Sequence, residues 1–465
     1  MARGMGRAIV KSLAVLAVLL VLLVVAVYLA SRMAGTTKAE REALALIDAP
    51  PQRTGEDGFA ALYTVDLEMP DDQRAVLLAE DVRRFADRAL SIGDGAGQGT
   101  GWQSLREGWP SLGEAQPGEP AWCSLRGPDC LDTVRADTDA YARLLERTAP
   151  MLDRAEALRG YGHFHNPFPP RLDMPLPALQ SISHLLTRNA WRYASGDVDA
   201  ALAGTCAAVA QGRSLVETGD GLINSMVGAA VVQGNAALLA GMLAELPRGQ
   251  PIPAGCADAL APTMDVAGGL CRAMLSEGRF ITGGLRSQIS DDMAAQAANR
   301  EMPKWLVRLL FDPERTAARI APRLAWYCGE PARMSVAADR PLAYPEAASS
   351  RWSLACASNA IGCILADIAD PAYTDYGRRL QDADARLRTT AALLWLREQP
   401  GPVDAAALSR LPAGLASPAR PFQLDAASAT LGTPLYEKPR QGEPADGVWR
   451  IPLPASRLQP APAAP

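Results

Sequence analysis

The stretch that decides the fold is residues 13–30, which read LAVLAVLLVLLVVAVYLA. These eighteen residues carry no charge and no amide, and Tyr28 supplies the one hydroxyl. An α-helix rises about 1.5 Å per residue, so a helix of this length covers about 27 Å, close to the roughly 30 Å hydrocarbon core of a bilayer. We therefore predict one transmembrane helix at residues 12–31, in contact with the lipid bilayer.

The charges beside this helix indicate its orientation. Arg3, Arg7 and Lys11 precede it without any acidic residue, whereas the basic residues that follow it are mixed with Glu40 and Glu42. Positively charged flanks stay in the cytoplasm, which predicts a cytoplasmic N-terminus and a large domain on the other side of the membrane.

The same stretch differs from a cleaved signal peptide. Signal peptides have apolar cores of about 7–15 residues and end at a small-x-small cleavage site. Here the core is longer, and cleavage after Ala30 or Ala34 would put Tyr28 or Arg32 where the first small residue belongs. We therefore expect an uncleaved signal anchor in the inner membrane.

The composition indicates the source and excludes one class of partner. Only four of the 46 basic residues are lysine and alanine is abundant, which is typical of GC-rich bacterial genomes and makes the outer compartment a periplasm. The net charge of −5 is mildly acidic, so nucleic acid is not an expected partner.

Eight cysteines in an oxidising compartment predict disulfides. Cys123 and Cys130 flank a segment with Gly127 and Pro128, whose turn brings the two side chains together. A second pair, Cys356 and Cys363, has the same spacing and is also predicted to form a disulfide. The alternative is a helix over residues 357–361, which would hold these two cysteines about 10 Å apart. Three pairings are open for the other four cysteines, which are Cys206, Cys256, Cys271 and Cys328.

Apolar periodicity and proline content predict a mainly α fold with a disulfide-linked multi-helix domain. The proposed division of the chain is a cytoplasmic N-terminus (1–11), the signal anchor (12–31), membrane-proximal helices (32–92), a Gly/Pro-rich linker (93–120), an α-helical domain (121–398) and a Pro-rich C-terminal segment with a disordered tail (399–465).

Helices are predicted over many separate segments of this chain. They are residues 37–48, 57–66, 71–92, 131–158 with a break at Pro150, 176–195, 198–218, 222–246, 254–260, 265–277, 305–310, 314–327, 352–368 and 373–397. Residues 222–246 are long and uncharged enough to be tested as a second span. Four polar residues around that helix favour burial in a protein core over exposure to lipid.

After Pro400 the pattern changes to short apolar pieces between prolines. Residues 432–436 and 448–453 are predicted to pair as a small β element, and residues 459–465 to form the disordered tail.

The chemistry-bearing residues give few candidates for a site. The three histidines are His163, His165 and His184, and with Asp173 they are candidate metal ligands, although a proline-rich loop favours a solvent-facing or capping role. The glycine-rich residues 93–101 lack the spacing of a nucleotide-binding loop and predict a flexible linker.

No motif for nucleophilic catalysis occurs in the sequence. G-x-S-x-G, S-x-x-K and HExxH are all absent, and the even number of cysteines favours disulfides over a free thiol. We therefore predict no catalytic residue, no cofactor and no assigned metal ligand. Glu277, Asp291 and Asp292, near a glycine pair, are interpreted as solvated surface.

Three short C-terminal segments together carry a resemblance. They are NAIG at 359–362, LLWLR at 393–397 and GTPLY at 432–436. In this order, and behind a membrane anchor, they resemble a group of single-span, cysteine-containing, mainly helical bacterial envelope proteins. In that group the last piece often reads D-P-x-x-G-x-P-x-x-Y, whereas here Ser428 and Ala429 replace the acid–proline step and the tyrosine comes one residue early. The resemblance covers about 100 residues and implies no activity.

The sequence thus favours a non-enzymatic envelope component that binds a protein or peptidoglycan-associated partner in a groove between helices. Two alternatives are a periplasmic hydrolase with carboxylate or histidine chemistry around residues 163–184, and an inhibitor or immunity protein.

Overall fold

The computed structural model describes residues 2–87, 102–114, 116–127, 129–170, 174–261, 264–286, 303–345, 353–368, 370–439 and 445–454. Within these ranges the chain is mainly helical and carries a three-stranded antiparallel sheet near its C-terminus, which confirms the predicted mainly α class. The glycine-rich residues 93–101 and the predicted tail at 459–465 lie outside the described residues.

The helices of the first half are α1 (Ala2–Ala34), α2 (Lys38–Asp48), α3 (Phe59–Tyr63), α4 (Asp71–Asp87), α5 (Cys130–Arg135), α6 (Thr138–Ala157), α7 (Gln180–Ser183), α8 (Leu185–Ala194), α9 (Val198–Thr218), α10 (Leu222–Glu245) and α11 (Ala254–Ala259). Those of the second half are α12 (Val266–Gly284), α13 (Lys304–Leu310), α14 (Pro313–Ala325), α15 (Glu330–Ala337), α16 (Ala360–Ile368), α17 (Asp370–Glu398) and α18 (Ala405–Leu408). Single 3-10 turns span Leu105–Gly108, Leu158–Gly160, Trp326–Cys328 and Leu354–Cys356.

Two of these helices are long and apolar enough to cross a membrane, and their surroundings differ. In α1 the leucine and valine side chains of residues 13–29 are exposed, as in a single membrane span or a signal sequence. In α10 most of the apolar stretch is buried against α9, α12 and α17. Its polar Asn235 donates to Val231 O at 2.9 Å. The prediction that residues 222–246 form a core helix is confirmed.

The core is built around α9 and α10, which are joined by a short turn and pack side by side. Close packing is possible because Gly212 of α9 faces Gly228 of α10, and a Cβ on either glycine would meet the backbone oxygen of the other. The α8–α9 turn begins where Gly196 adopts a φ of 90°, a conformation that favours glycine. A short turn therefore joins α8 to α9.

Some predicted helix boundaries are wrong for identifiable reasons. The helix predicted at 131–158 is divided at Asp137, whose side chain accepts a hydrogen bond from Ala140 N at 3.0 Å and so starts α6. The break predicted at Pro150 does not occur. Pro150 lies on the exposed face of α6, while Met151 and Leu152 behind it are fully buried and hold the helix against the core.

The eight cysteines form four pairs at disulfide distance. The predicted pairs Cys123–Cys130 and Cys356–Cys363 are both confirmed. In the second case a turn precedes Ala360, where α16 begins, so the two Cα atoms lie 5.8 Å apart rather than on one helix. The open pairings are resolved as Cys206–Cys256 and Cys271–Cys328.

The second half of the predicted linker (93–120) packs against the folded domain. Trp102 packs edge-on against Phe85 with ring centroids 5.4 Å apart, and Leu105 and Trp109 lie against the same cluster. Apolar side chains thus attach this segment to α3 and α4, in spite of its glycine and proline content.

The C-terminal segment forms a small sheet of β1 (Gln423–Asp425), β2 (Thr430–Pro434) and β3 (Val448–Pro452) in that spatial order. The predicted pairing of the last two strands is confirmed, with Leu431 opposite Ile451. Both of these side chains are buried in the main core, so the sheet packs on α10 and α17.

Candidate functional site

An open cavity of about 560 Å³ lies between the helices that follow the anchor and the start of α7. Three separate parts of the chain line it, namely the turn after α3, the turn at residues 104–114 and the segment at 175–184. Most of the side chains in this wall are polar, so the cavity is suited to a ligand with hydrogen-bonding groups.

Asp81 of α4 holds two of these three parts together. Its fully buried carboxylate accepts hydrogen bonds from the Tyr63 hydroxyl at 2.9 Å and from Leu105 N at 2.8 Å. Ser104 Oγ donates to the same carboxylate and caps the following 3-10 turn. Burial raises the pKa of Tyr63, so its hydroxyl stays protonated and donates. The wall is therefore fixed before any ligand binds.

Asp66 and Arg106 form the charged part of the wall. Arg106 Nη2 donates to Asp66 Oδ1 at 2.8 Å, and Ser111 Oγ donates to Asp66 Oδ2 at 3.3 Å. The guanidinium also lies 4.9 Å from the ring centroid of Tyr63. Its buried Nε–H, however, has no hydrogen-bond partner.

Ser181 of α7 and His184, directly after this helix, form a buried polar part of the wall. Ser181 is 1% exposed and His184 is 9% exposed, yet Ser181 Oγ and His184 Nδ1 have no hydrogen-bond partner. The imidazole stacks on Trp122 with the ring centroids 4.0 Å apart. Burial lowers the pKa of His184 to about 4, so the ring is neutral at pH 7 and has one donor and one acceptor nitrogen. Both residues line the cavity.

The mouth of this cavity is acidic and partly aromatic. Glu107 and Glu114 are exposed at its edge, and the half-buried Trp109 lines it beside them. Since Arg106 is paired with Asp66, these two carboxylates give the entrance a negative charge. The entrance therefore favours a partner with cationic or amide groups.

A larger cavity of about 870 Å³ near α12, α15 and α17 is less suited to binding. Its charged side chains already satisfy one another, because Arg388 donates to Asp339 at 2.6 Å and to Asp384 at 2.9 Å. A ligand there would have to compete with ion pairs that are mostly buried.

The histidines that were candidate metal ligands are not brought together. His165 Nδ1 lies 2.6 Å from Asp220 Oδ2, which also accepts from Arg53 at 2.7 Å. His163 lies 3.7 Å from Asp57, and His184 belongs to the cavity wall described above. Among the described residues no group of three His, Cys, Asp or Glu side chains is arranged to hold a metal ion, and Asp173 lies outside those residues.

The cluster around Asp220 has a structural explanation. Although burial opposes it, hydrogen bonds from His165 and Arg53 lower the pKa of Asp220. Arg53 and His165 lie on two different loops, and backbone bridges join Phe164 to Gly219 beside them. The charged cluster thus fastens these loops to the end of α9.

Two further expectations about reactive groups are answered by the structure. All eight cysteines are in the four pairs, so none is a free thiol. Glu277 was interpreted as solvated surface, but it is half-buried, Tyr373 donates to it at 3.3 Å, and burial raises its pKa. Asp291 and Asp292 lie outside the described residues.

Sequence reasoning missed the cavity because Asp66, Arg106 and Ser181 come from three distant parts of the chain. None of them belongs to a recognisable motif. The one local signal is the spacing of Ser181 and His184, which places two polar side chains on the same side of a helical turn.

Comparisons with known proteins give no relative: no protein-family model, no curated protein and no solved structure matches the chain.

Proposed function

We propose that the protein is a single-span component of a bacterial envelope, with its folded domain in the periplasm, and that the cavity binds a partner without converting it chemically. The observation that carries the binding proposal is the pair of buried, unpartnered side chains, Ser181 and His184, in the wall of an open polar cavity. Leaving such a group without a hydrogen bond costs about 1–3 kcal/mol, which a polar ligand would offset.

Contacts at the end of α1 support retention of this helix as an anchor. Ser31 is fully buried, and its Oγ lies 2.7 Å from the Oγ of Ser358. Arg315 donates to the backbone oxygen of Ser31 at 2.8 Å. Removal of α1 as a signal peptide would take these partners from Ser358 and Arg315. The four cysteine pairs further support an oxidising compartment.

The chemistry of the cavity favours a peptide as the ligand. Backbone amides supply both donors and acceptors, which Ser181 Oγ, neutral His184 and the Nε–H of Arg106 can use. An amino group on the peptide would be attracted to the exposed carboxylates of Glu107 and Glu114. Such a peptide can belong to an envelope protein or to peptidoglycan.

Photo-crosslinking in intact cells tests this proposal. Gln180 lines the cavity and is exposed, so p-benzoylphenylalanine at this position should form a covalent adduct with the bound peptide. Mass spectrometry of the adduct distinguishes a protein partner from a peptidoglycan fragment.

Two glycines offer a matched pair of control variants for this experiment. Gly113 lines the cavity and a Cβ there meets only ordinary contacts, so Gly113→Phe should fill the cavity and abolish the adduct. Gly108 has no atom near its Cβ position, and Gly108→Phe should leave the adduct unchanged. An adduct that persists at full yield in Gly113→Phe, or one that contains only this chain, would contradict the proposal.

The hydrolase and the inhibitor or immunity protein stay predictions from the sequence. For the hydrolase, the contact between His165 and Asp220 resembles a base and its orienting acid, but Arg53 lies 2.6 Å from the same Nδ1. That arrangement supports a structural ion cluster better than an activated base.

A further inference from the structure

Large apolar side chains are exposed around the point where α1 joins the folded domain. We define the apolar patch as Trp305, Leu309, Leu354, Ile364 and Ile368, which are between 38% and 69% exposed. Exposed apolar groups of this size are unusual when they lie together on a water-soluble surface, and they mark a site of contact with a partner or a membrane.

The patch is formed by two helices and a turn that contact one another. Trp305 and Leu309 are one helical turn apart on α13, and Ile364 and Ile368 are one turn apart on α16. α13 packs against α16, and the turn that carries Leu354 contacts α1. On the opposite side of the same helices, other apolar residues pack into the core. Both helices therefore carry apolar side chains on a second face, and that face stays partly exposed in the described part of the chain.

The junction with α1 fixes the position of this patch. The Tyr28 hydroxyl donates to Leu309 O at 3.1 Å, and Arg32 forms an ion pair with Asp312 at 3.1 Å. Tyr28 lies two residues before the end of the apolar run of α1, at Ala30. Leu309 is therefore at the level where the apolar surface of α1 ends, and the patch continues that surface sideways.

We propose that the apolar patch is seated in the outer interfacial layer of the same bilayer that holds α1. Tryptophan is enriched at this depth because its ring is apolar and its indole N–H can hydrogen-bond, and isoleucine and leucine reach the acyl chains. The proposal rests on the anchor part of the proposed function and is independent of the ligand of the cavity.

Quenching of tryptophan fluorescence by brominated lipids tests this placement. The full-length protein is reconstituted in phosphatidylethanolamine and phosphatidylglycerol vesicles, with and without bromine on the acyl chains. The chain has nine tryptophans, so the contribution of Trp305 is obtained by comparing the wild type with Trp305→Phe. Trp305 is 65% exposed, so this change should not disturb folding.

We expect Trp305→Phe to remove a component of the fluorescence that brominated lipids quench. The matched control is Trp449→Phe on the C-terminal sheet, which should leave the quenched component as in the wild type. An equal quenched component in the wild type and in Trp305→Phe would overturn the proposal. If that result came with a dimer in analytical ultracentrifugation, a second copy of the chain would be the occupant instead.

Alkaline carbonate extraction of the same vesicles separates this failure from failure of the anchor. If the protein stays in the membrane pellet, the anchor proposal stands, and a negative quenching result contradicts only the placement of the apolar patch in the bilayer. A chain that is released into the supernatant contradicts the anchor and the patch together.

Discussion

Arg420 holds the C-terminal segment to α17. Its side chain is 1% exposed and donates to Asp382 Oδ1 at 2.7 Å and also to Asp339. Asp382 in turn accepts the backbone N–H groups of Tyr436 at 2.9 Å and Glu437 at 2.8 Å. Burial raises the pKa of Asp382, while these backbone donors and the positive charge of Arg420 act in the opposite direction and favour the ionised carboxylate.

Arg420→Met should therefore destabilise the fold strongly. It leaves the buried carboxylate of Asp382 without its ion-pair partner and leaves Asp339 with Arg388 alone. Breaking a buried pair by removing one partner costs about 3–5 kcal/mol. Urea unfolding in detergent micelles measures the loss. The control is Arg333→Met, which removes an exposed ion pair with Glu330 and should cost less than about 1 kcal/mol. Equal losses in the two variants would contradict the assignment of this role to Arg420.

His184 should make the stability depend on pH. Its pKa is lowered to about 4 by burial, while the unfolded chain has the ordinary value of about 6.5. Between these values the unfolded state binds more protons, so the contribution is fully present above pH 6.5 and is lost as the pH falls towards 4. The loss should be on the order of 3 kcal/mol.

Urea unfolding of the wild type and His184→Gln at pH 7 and pH 4 checks this expectation. Other groups titrate in both proteins, so the comparison isolates the contribution of His184. The wild type should lose more stability than the variant over this range. Equal losses of stability in the wild type and in His184→Gln would mean that His184 is accessible to protons in the folded state.

At the scale of elements, the contact between α9 and α10 depends on Gly212 and Gly228. A Cβ on Gly228 would lie 2.6 Å from Gly212 O, a backbone atom that cannot move away without separating the helices. We expect Gly228→Ala to cost about 1–3 kcal/mol through overpacking. On the same helix, a Cβ on Gly241 would meet no atom within 4 Å. Gly241→Ala should therefore stabilise the fold by about 0.5–1 kcal/mol.

Thermal unfolding of both variants measures these opposite effects. A lower midpoint for Gly228→Ala and a higher one for Gly241→Ala are expected. Stabilisation by both changes would show that the two helices are not as close as described.

The cysteine pairs should differ in their contribution because they close loops of different length. The Cys206–Cys256 pair spans 50 residues and joins α9 to α11, whereas Cys123–Cys130 spans 7. Loop-closure entropy predicts losses of about 4 and about 2 kcal/mol when each pair is replaced by alanine. Chemical unfolding of the two double variants checks the order, and a larger loss for the short loop would contradict it.

Local signals were enough to predict several elements but not their ends. The turn residues between Cys123 and Cys130 made that pair predictable from eight residues of sequence. The helix break predicted at Pro150 was wrong because the effect of a proline depends on which face of α6 is exposed. That exposure follows from packing with residues that are distant in the sequence. The long-range pair of Cys271 and Cys328 likewise has no local signal.

At the scale of the whole molecule, one buried core runs from Ala43 of α2 to Leu453 after β3. The segments before and after the predicted α-helical domain thus share its core, which a division of the sequence by composition could not predict. The candidate cavity also depends on the complete fold, because its walls come from separate parts of the chain, including the turn after α3 and α7. The three-dimensional arrangement of Asp66, Arg106 and Ser181 is therefore a product of the complete fold.

The proposed envelope ligand of the cavity and the proposed placement of the apolar patch in the outer interfacial layer both require that the folded domain lies in the periplasm. The chain has only four lysines, and they allow a direct measurement without any substitution. Lys11 precedes the apolar run, whereas Lys38, with its side chain 82% exposed, and Lys438 follow it. A membrane-impermeant amine reagent is added to spheroplasts, and labelled peptides are identified by mass spectrometry.

We predict labelling of Lys38 and Lys438 in intact spheroplasts, and labelling of Lys11 only after lysis. Labelling of Lys11 in intact spheroplasts while Lys438 is protected would contradict the orientation. A chain that begins after residue 30 would contradict the anchor.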